Sequence, residues 1–140
     1  MTFNYSICHP DKELIEYPTE LIDAQKAIEL AKTYPWKEQL QLCDELPDAK
    51  IYYSPSLDFK NTQGKSSFGI TADELDNSGV PKFSLWYSRP IKVRLLFGLL
   101  GQTERMLTSD LSSYTLEEAL QYLKYFLDGN KEKIEALYKA

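Results

Sequence analysis

The sequence predicts a single α+β domain spanning residues 1–140. Its antiparallel sheet of about four to five strands lies within residues 50–111, with two N-terminal and two C-terminal helices packed on it. Three observations indicate this layout. Apolar residues recur every three or four positions near both termini and every second position between them. No linker divides the chain. The composition, 43% hydrophobic and 13% aromatic, is typical of a packed core.

The first element is a short edge strand, because Phe3, Tyr5 and Ile7 alternate with polar residues before His9 and Pro10 end the run. A helix is then expected after Pro18. Thr19 would cap it, and its apolar stripe consists of Leu21, Ala24, Ile28 and Ala31.

A second helix is expected to start at Pro35 and to end at Pro47. Proline suits the first helical position because the N–H that it lacks would be unpaired there. The apolar stripe of this helix consists of Trp36, Leu40 and Cys43.

From residue 50 onward the apolar period is two, which predicts strands. Residues 61–64 would be a hairpin connection with Gly64 at a positive φ, and residues 72–81 a polar loop. The alternating pairs and triplets are Ile51 and Tyr53, Leu57 and Phe59, Phe68 and Ile70, and Phe83, Leu85 and Tyr87.

Pro90 interrupts the next alternation. Since proline donates no backbone hydrogen bond, we expect the sheet to turn, bulge or expose an edge at Arg89 and Pro90, and to change direction there. Beyond it, alternation over residues 91–97 favours a fourth strand, although residues 95–100 are also compatible with the start of a helix. Residues 106–111 would add a short fifth strand.

The C-terminal third predicts two helices. Thr115 and Glu118 have the spacing of a capping box, and Gly129 marks the end of the apolar stripe that follows them. Asn130 would cap the last helix, whose apolar positions are Ile134, Leu137 and Tyr138.

Charge narrows the range of partners. The formal net charge is -5, with -6 in residues 1–49 and +1 in residues 50–140. An acidic chain is a poor binder of nucleic acid. The acidic N-terminal third favours association with a basic protein surface, and a solvated acidic helix face is the alternative. Cys8 and Cys43 lack the spacing of a zinc site or a disulfide framework, and residues 1–16 lack the features of a signal peptide. With no apolar run of membrane-spanning length, a cytoplasmic protein is expected.

Catalytic motifs are missing. His9 is the only histidine, and its side chain should diverge from that of neighbouring Cys8, so the two are not expected to form a dyad. Residues 73–79, DELDNSG, lack the ligand spacing of a calcium loop. We therefore expect no catalytic residues, no metal and no cofactor.

The candidate contact residues are acidic and aromatic. Trp86 stands out among the small polar residues of the outer sheet face, and exposed tryptophan is a common binding anchor, although the N-terminal helices or a dimer partner are alternatives that would bury it. Arg89 is included because the layout leaves it no structural contact. The partner-binding candidates are Glu13, Glu16, Asp44, Glu45, Asp48, Asp73, Glu74, Asp76, Trp86 and Arg89.

The succession SPSLDF, SSFGIT, FSLWYSRP, FGLLG and SYTLEEALQYLKYFLDGNKEKIEALY, over roughly residues 54–138, resembles small bacterial immunity proteins of contact-dependent and other polymorphic toxin systems. The resemblance implies a non-enzymatic cytoplasmic protein that neutralises one cognate toxin domain, often a nuclease. A monomer or a homodimer is expected. It matches no motif from which toxin-contacting residues could be transferred.

Two alternatives remain open at the sequence level. One is a small enzyme or ligand-binding protein with a pocket between the helices and the sheet. The other is a structural adaptor that dimerises through the sheet. Convergent buried carboxylates and tyrosines in a deep pocket would favour the first, whereas a filled core would favour inhibition of a partner.

Overall fold

The computed structural model describes residues 1–94, 98–99 and 101–139, and within these ranges it has the predicted α+β fold. Five strands form one antiparallel sheet, with two helices before its main part and two after it. None of the described helices is long and apolar enough to cross a membrane. The elements are β1 (Phe3–Cys8), α1 (Ala24–Thr33), α2 (Trp36–Glu45), a 3-10 turn (Asp48–Lys50), β2 (Ser56–Asn61), β3 (Ser67–Leu75), β4 (Pro81–Arg94), β5 (Gln102–Tyr114), α3 (Leu116–Leu127) and α4 (Lys131–Lys139).

The strands follow one another in the sheet in chain order, from β1 at one edge to β5 at the other. β1 is thus the edge strand that the alternation of its residues predicts. Each pairing is antiparallel, so side chains opposite one another form rows across the sheet. One such row on the face away from the helices runs Ser6, Asp58, Gly69, Trp86 and Asp110.

The helices cover the other face, and the predicted inward residues are buried there. Phe126 of α3 is central, with its ring centroid 6.1 Å from Phe3, 5.8 Å from Phe68 and 6.4 Å from Tyr87. The apolar sheet residues with no more than 1% exposure are Phe3, Leu57, Phe59, Phe68, Ile70, Ala72, Phe83, Leu85 and Tyr87. The period-two prediction of the core face is confirmed.

The C-terminal helices begin where the sequence predicts. Thr115 Oγ1 accepts a hydrogen bond from the Glu118 amide at 3.1 Å, and the Glu118 carboxylate accepts one from the Thr115 amide, which completes the capping box. Gly129 ends α3 at a φ of 74°, and Asn130 Oδ1 accepts from the Lys133 amide. The first four backbone N–H groups of a helix have no partner within the helix. The hydrogen bonds to Thr115 and Asn130 therefore mark the starts of α3 and α4.

The predicted start of the first helix is wrong. α1 begins at Ala24 and is capped by Asp23, whose side chain accepts from the Lys26 amide, rather than by Thr19. Residues 16–22 instead run beside β1, joined at both ends by backbone hydrogen bonds between Phe3 and Ile22 and between Ile7 and Glu16. Pairing to a distant strand therefore overrides the helical spacing that began at residue 21.

Of the outcomes expected at Arg89 and Pro90, the structure shows an exposed strand edge, whereas the predicted change of direction is wrong. β4 continues through both residues to Arg94 and pairs with β5 along the way, with Pro90 opposite Met106. The physical reason lies in β3, which pairs with β4 only as far as Ser88. Beyond that point β4 has one neighbour, and a strand with a free side tolerates a residue without an N–H.

Three smaller expectations differ from the structure. Asp73 and Glu74 belong to β3, so the polar loop shrinks to residues 76–80. Gly64 follows β2 without a positive φ. Residues 51–53 form no strand, since the Tyr52 amide donates to Pro10 outside the sheet. The expected fifth strand is part of the longer β5, and the choice between strand and helix for residues 95–100 falls largely on residues 95–97 and 100, which lie outside the described residues.

Candidate functional site

The face of the sheet away from the helices carries the most unusual side chains. Trp86 is 38% exposed there, which removes the alternative that the N-terminal helices bury it, since those helices pack on the opposite face. Its cross-strand partners are Gly69 and Asp110. Trp86 thus lies on an open, mostly polar surface.

Many of the predicted acidic residues lie at one end of the molecule, where the last turn of α2 meets the end of β3. Asp44, Asp73 and Glu74 line a single cleft of about 300 Å³. Glu45 and Asp48 follow Asp44 in the sequence, at the end of α2 and the start of the 3-10 turn. We call Asp44, Glu45, Asp48, Asp73, Glu74 and Asp76 the acidic end.

Members of the acidic end differ in their contacts. Asp73 accepts a hydrogen bond from Ser84 Oγ at 2.5 Å, and Asp76 accepts from the amides of Ser78 and Val80, which holds the β3–β4 turn. The two backbone hydrogen bonds lower the pKa of Asp76. Glu74 lies opposite Lys82 in the β3–β4 register.

Among the described residues, Asp44 and Glu45 have no stabilising contacts comparable with those of Asp73 and Asp76. They occupy the C-terminal turn of α2, which contains no basic residue. The negative end of the helix dipole disfavours carboxylates at such a position. Their presence there is unfavourable for the helix.

Glu13 and Glu16 lie apart from the acidic end, in the chain that follows β1. Glu16 Oε1 lies 3.2 Å from His9 Nε2, and the Glu13 carbonyl accepts from the Tyr53 hydroxyl. His9 therefore contacts Glu16, and its neighbour Cys8 has a thiol whose pKa is raised by burial and by the charge of Asp58. A raised pKa leaves Cys8 a poor nucleophile at neutral pH.

The assumption that Arg89 has no structural contact is wrong. Its side chain is 7% exposed and lies under α4, with Nε 3.3 Å from Glu135 Oε1. One guanidinium nitrogen donates to Ser109 Oγ at 2.9 Å, and the guanidinium carbon is 4.8 Å from the ring centroid of Tyr87. Arg89 is thus part of the packing between the sheet and the last helix.

The space between the helices and the sheet is small. A cleft of about 200 Å³ lies there, lined by Tyr87, Phe126 and Ile134 among others. Ligand pockets usually exceed about 300 Å³. The expected alternative of a pocket between helices and sheet therefore finds little room at this position.

A larger cleft of about 480 Å³ lies on the open face, and the sequence prediction missed it. Its floor includes Ser6, Asp58 and Lys60, while Tyr17 and Pro18 form a wall. The only sequence signal was a glycine, Gly69, in the middle of a strand pattern, which often marks a close approach of another group. The wall could not be foreseen because it depends on residues 16–22 pairing with β1.

The described residues contain no cluster of metal-binding side chains: no three of their His, Cys, Asp or Glu side chains are arranged to hold a metal ion. Cys8 and Cys43 are free thiols. Known protein families, characterised proteins and solved structures yielded no match to this chain.

Proposed function

We propose that this chain is a non-enzymatic immunity protein, which binds and neutralises a basic toxin domain, such as a nuclease, in the bacterial cytoplasm. The observation that carries the proposal is the acidic end. Asp44 of α2 and Asp73 and Glu74 of β3 line one cleft there, and the other members are close to these three in the sequence. A negative surface of this kind raises the rate of association with a positive partner and helps to select it.

The position of Asp44 and Glu45 supports an external role for this surface. Carboxylates at the C-terminal end of a helix cost stability, and neither side chain makes a hydrogen bond or ion pair among the described residues. Residues that weaken the fold without compensation are expected at functional sites. A basic partner would supply the missing counter-charge.

The packed core agrees with a binding role. Aromatic rings fill the space between the sheet and the helices, and the cleft left there is only about 200 Å³. Most carboxylates of the acidic end, in contrast, are exposed on the surface. This arrangement suits recognition of a macromolecule better than enclosure of a substrate.

Co-expression with the neighbouring reading frame tests the biological role. The reading frame immediately upstream would be expressed alone and together with this protein, and growth would be followed. Growth arrest by the upstream product and its relief by this protein are expected. A harmless upstream product, or arrest without relief, would count against immunity.

Charge reversal tests the surface. In Asp44→Lys/Glu45→Lys, we expect association with the toxin to slow by about tenfold at low salt, and the loss to shrink as salt screens the charges. The same change should raise stability by about 0.3–1 kcal/mol per residue, because lysine suits a helix C-terminus. Slower binding by a more stable protein cannot be attributed to misfolding.

A matched control carries the same change in charge elsewhere. Glu29→Lys/Glu132→Lys also adds four positive charge units, at exposed positions on α1 and α4. Stopped-flow association should be affected much less by this control. Equal slowing by both variants would indicate a response to net charge alone and would remove the acidic end from the proposal.

A further inference from the structure

Asp58 lies over Gly69 on the open face of the sheet, and the glycine makes room for it. The two residues are directly opposite in the β2–β3 register. A Cβ at position 69 would overlap a carboxylate oxygen of Asp58 and come within 3.1 Å of the carboxyl carbon. Glycine in a strand interior weakens the strand, so this space has a cost in stability.

The carboxylate is partly buried and has no partner among the described residues. Burial raises the pKa of Asp58, and none of the hydrogen bonds or ion pairs of the described residues involves its side chain. A carboxylate accepts hydrogen bonds and donates none, so burial without donors is unfavourable. Asp58 and Gly69 together leave an unpaired carboxylate that lines the cleft.

The cleft of about 480 Å³ opens directly at this carboxylate. Residues 16–22 are held beside β1 by two backbone hydrogen bonds: the Phe3 amide donates to the Ile22 carbonyl at 2.8 Å, and the Ile7 amide donates to the Glu16 carbonyl at 2.9 Å. Between these two anchors, Tyr17 and Pro18 form the wall of the cleft. The wall is therefore fixed at both ends, and its Tyr17 lines the same cleft as Asp58.

The donors that this carboxylate lacks define the ligand. Ammonium and guanidinium groups supply several N–H donors with a positive charge, and such hydrogen bonds to carboxylates are stronger than neutral ones. A tyrosine ring in the wall suits a cation through its negative face. We propose that the Asp58 cleft binds an ammonium or guanidinium group, from either a small free cation or a lysine or arginine side chain of a partner.

Lys60 is the group that opposes this assignment. It lies two residues along β2 from Asp58 and also lines the cleft. Its side chain is exposed and makes no ion pair with Asp58. Residues i and i+2 of a strand are about 6.6 Å apart, so Lys60 should weaken cation binding without preventing it.

Nuclear magnetic resonance of the full-length labelled chain tests the site without any toxin. Ethylguanidinium chloride would be titrated, with neutral N-ethylurea as a control of the same shape. We expect the amide signals of Asp58, Gly69 and Ser67 to shift with ethylguanidinium only. Equal shifts with N-ethylurea, or no shifts with either, would overturn the proposal.

Three variants test whether the bound group carries a positive charge. Asp58→Asn should weaken binding by at least about tenfold, since a charge-assisted hydrogen bond is lost. Lys60→Met should tighten binding by about threefold, because a positive charge at about 7 Å is removed. Gly69→Ala keeps the carboxylate but fills the space beneath it, and should also weaken binding. Weaker binding in Lys60→Met would indicate an anion site and contradict the proposal.

The source of the cation is resolved by a second probe, the blocked peptide acetyl-Gly-Arg-Gly-amide. If the peptide binds as well as ethylguanidinium, a side chain of a partner fits the cleft. Binding of ethylguanidinium alone assigns the cleft to a small free cation. These measurements do not involve the acidic end, so they can fail while toxin binding stands, and the reverse also holds.

Discussion

The two faces of the sheet are formed by the same strands, but different requirements determine which residues each face carries. On the helix-covered face, Phe59, Phe68 and Leu85 are completely buried, and their sizes are set by packing. On the open face, Asp58 is desolvated and Trp86 remains 38% exposed. The first face accounts for stability. The second contains residues that cost stability, and it is therefore the better place to look for function.

Neighbouring residues on β4 measure the difference between the faces most directly. Leu85→Ala should destabilise the protein by about 2–5 kcal/mol, since it leaves a cavity in the core. Trp86→Ala, one residue away on the open face, should cost about 1 kcal/mol or less despite the larger side chain. Urea unfolding of both variants checks this. Similar losses in the two variants would mean that the open face is covered in solution.

Glu135→Gln tests the charged contact that extends the covered face beneath α4. Arg89 would keep its burial and its bond to Ser109 but lose its counter-charge, so we expect a loss of about 2–3 kcal/mol. Thermal or urea unfolding measures it. Lys124→Gln, which breaks the exposed pair with Asp128, is the matched control and should cost less than about 0.5 kcal/mol. A loss no larger than the control would show that the Arg89 contact adds nothing.

Thr115→Ala should have a smaller effect, because it removes one side chain from the capping box of α3. The expected loss is about 1 kcal/mol. Thr115→Ser keeps the hydroxyl and should retain most of the stability. If both variants lose equally, the threonine methyl group rather than the cap would be responsible.

The sequence was most informative where structure is local. The capping box of Thr115 and Glu118 depends on residues three apart, and the buried face follows from period two within each strand. Errors arose where distant segments meet. Whether Pro90 ends a strand depends on where β3 stops, and whether residue 21 starts a helix depends on the pairing of Ile22 with Phe3.

The same limit applies to the candidate site. Trp86 was identified on the open face because alternation within one strand determines its side. Arg89 was misjudged because its partner, Glu135, is distant in the sequence and lies in the last helix. Asp58 was missed because its position over Gly69 depends on the register between two strands, which periodicity does not specify.

Asp58 on the open face should make the stability of the protein depend on pH. Asp58 has a raised pKa in the folded protein, so the folded state holds this proton more tightly than the unfolded state. The stability contributed by its neutral form is present below the unfolded pKa, about 3.9, and is lost as pH rises through the folded value. Asp58→Asn is neutral at every pH. It should therefore raise the unfolding midpoint at pH 7, with a gain that shrinks toward zero below about pH 4.

Asp76→Asn is a control of opposite sign. Hydrogen bonds from the Ser78 and Val80 amides lower the pKa of Asp76, so its charged form contributes stability above the unfolded pKa that is lost as pH falls. This variant should lower the midpoint at pH 7 and converge with the wild type in acid. Midpoints of both variants between pH 3 and pH 8 would therefore diverge from the wild type in opposite directions. A lower midpoint for Asp58→Asn at pH 7 would mean that the Asp58 carboxylate supports the fold, and the cost that marks the open face as a binding surface would not exist.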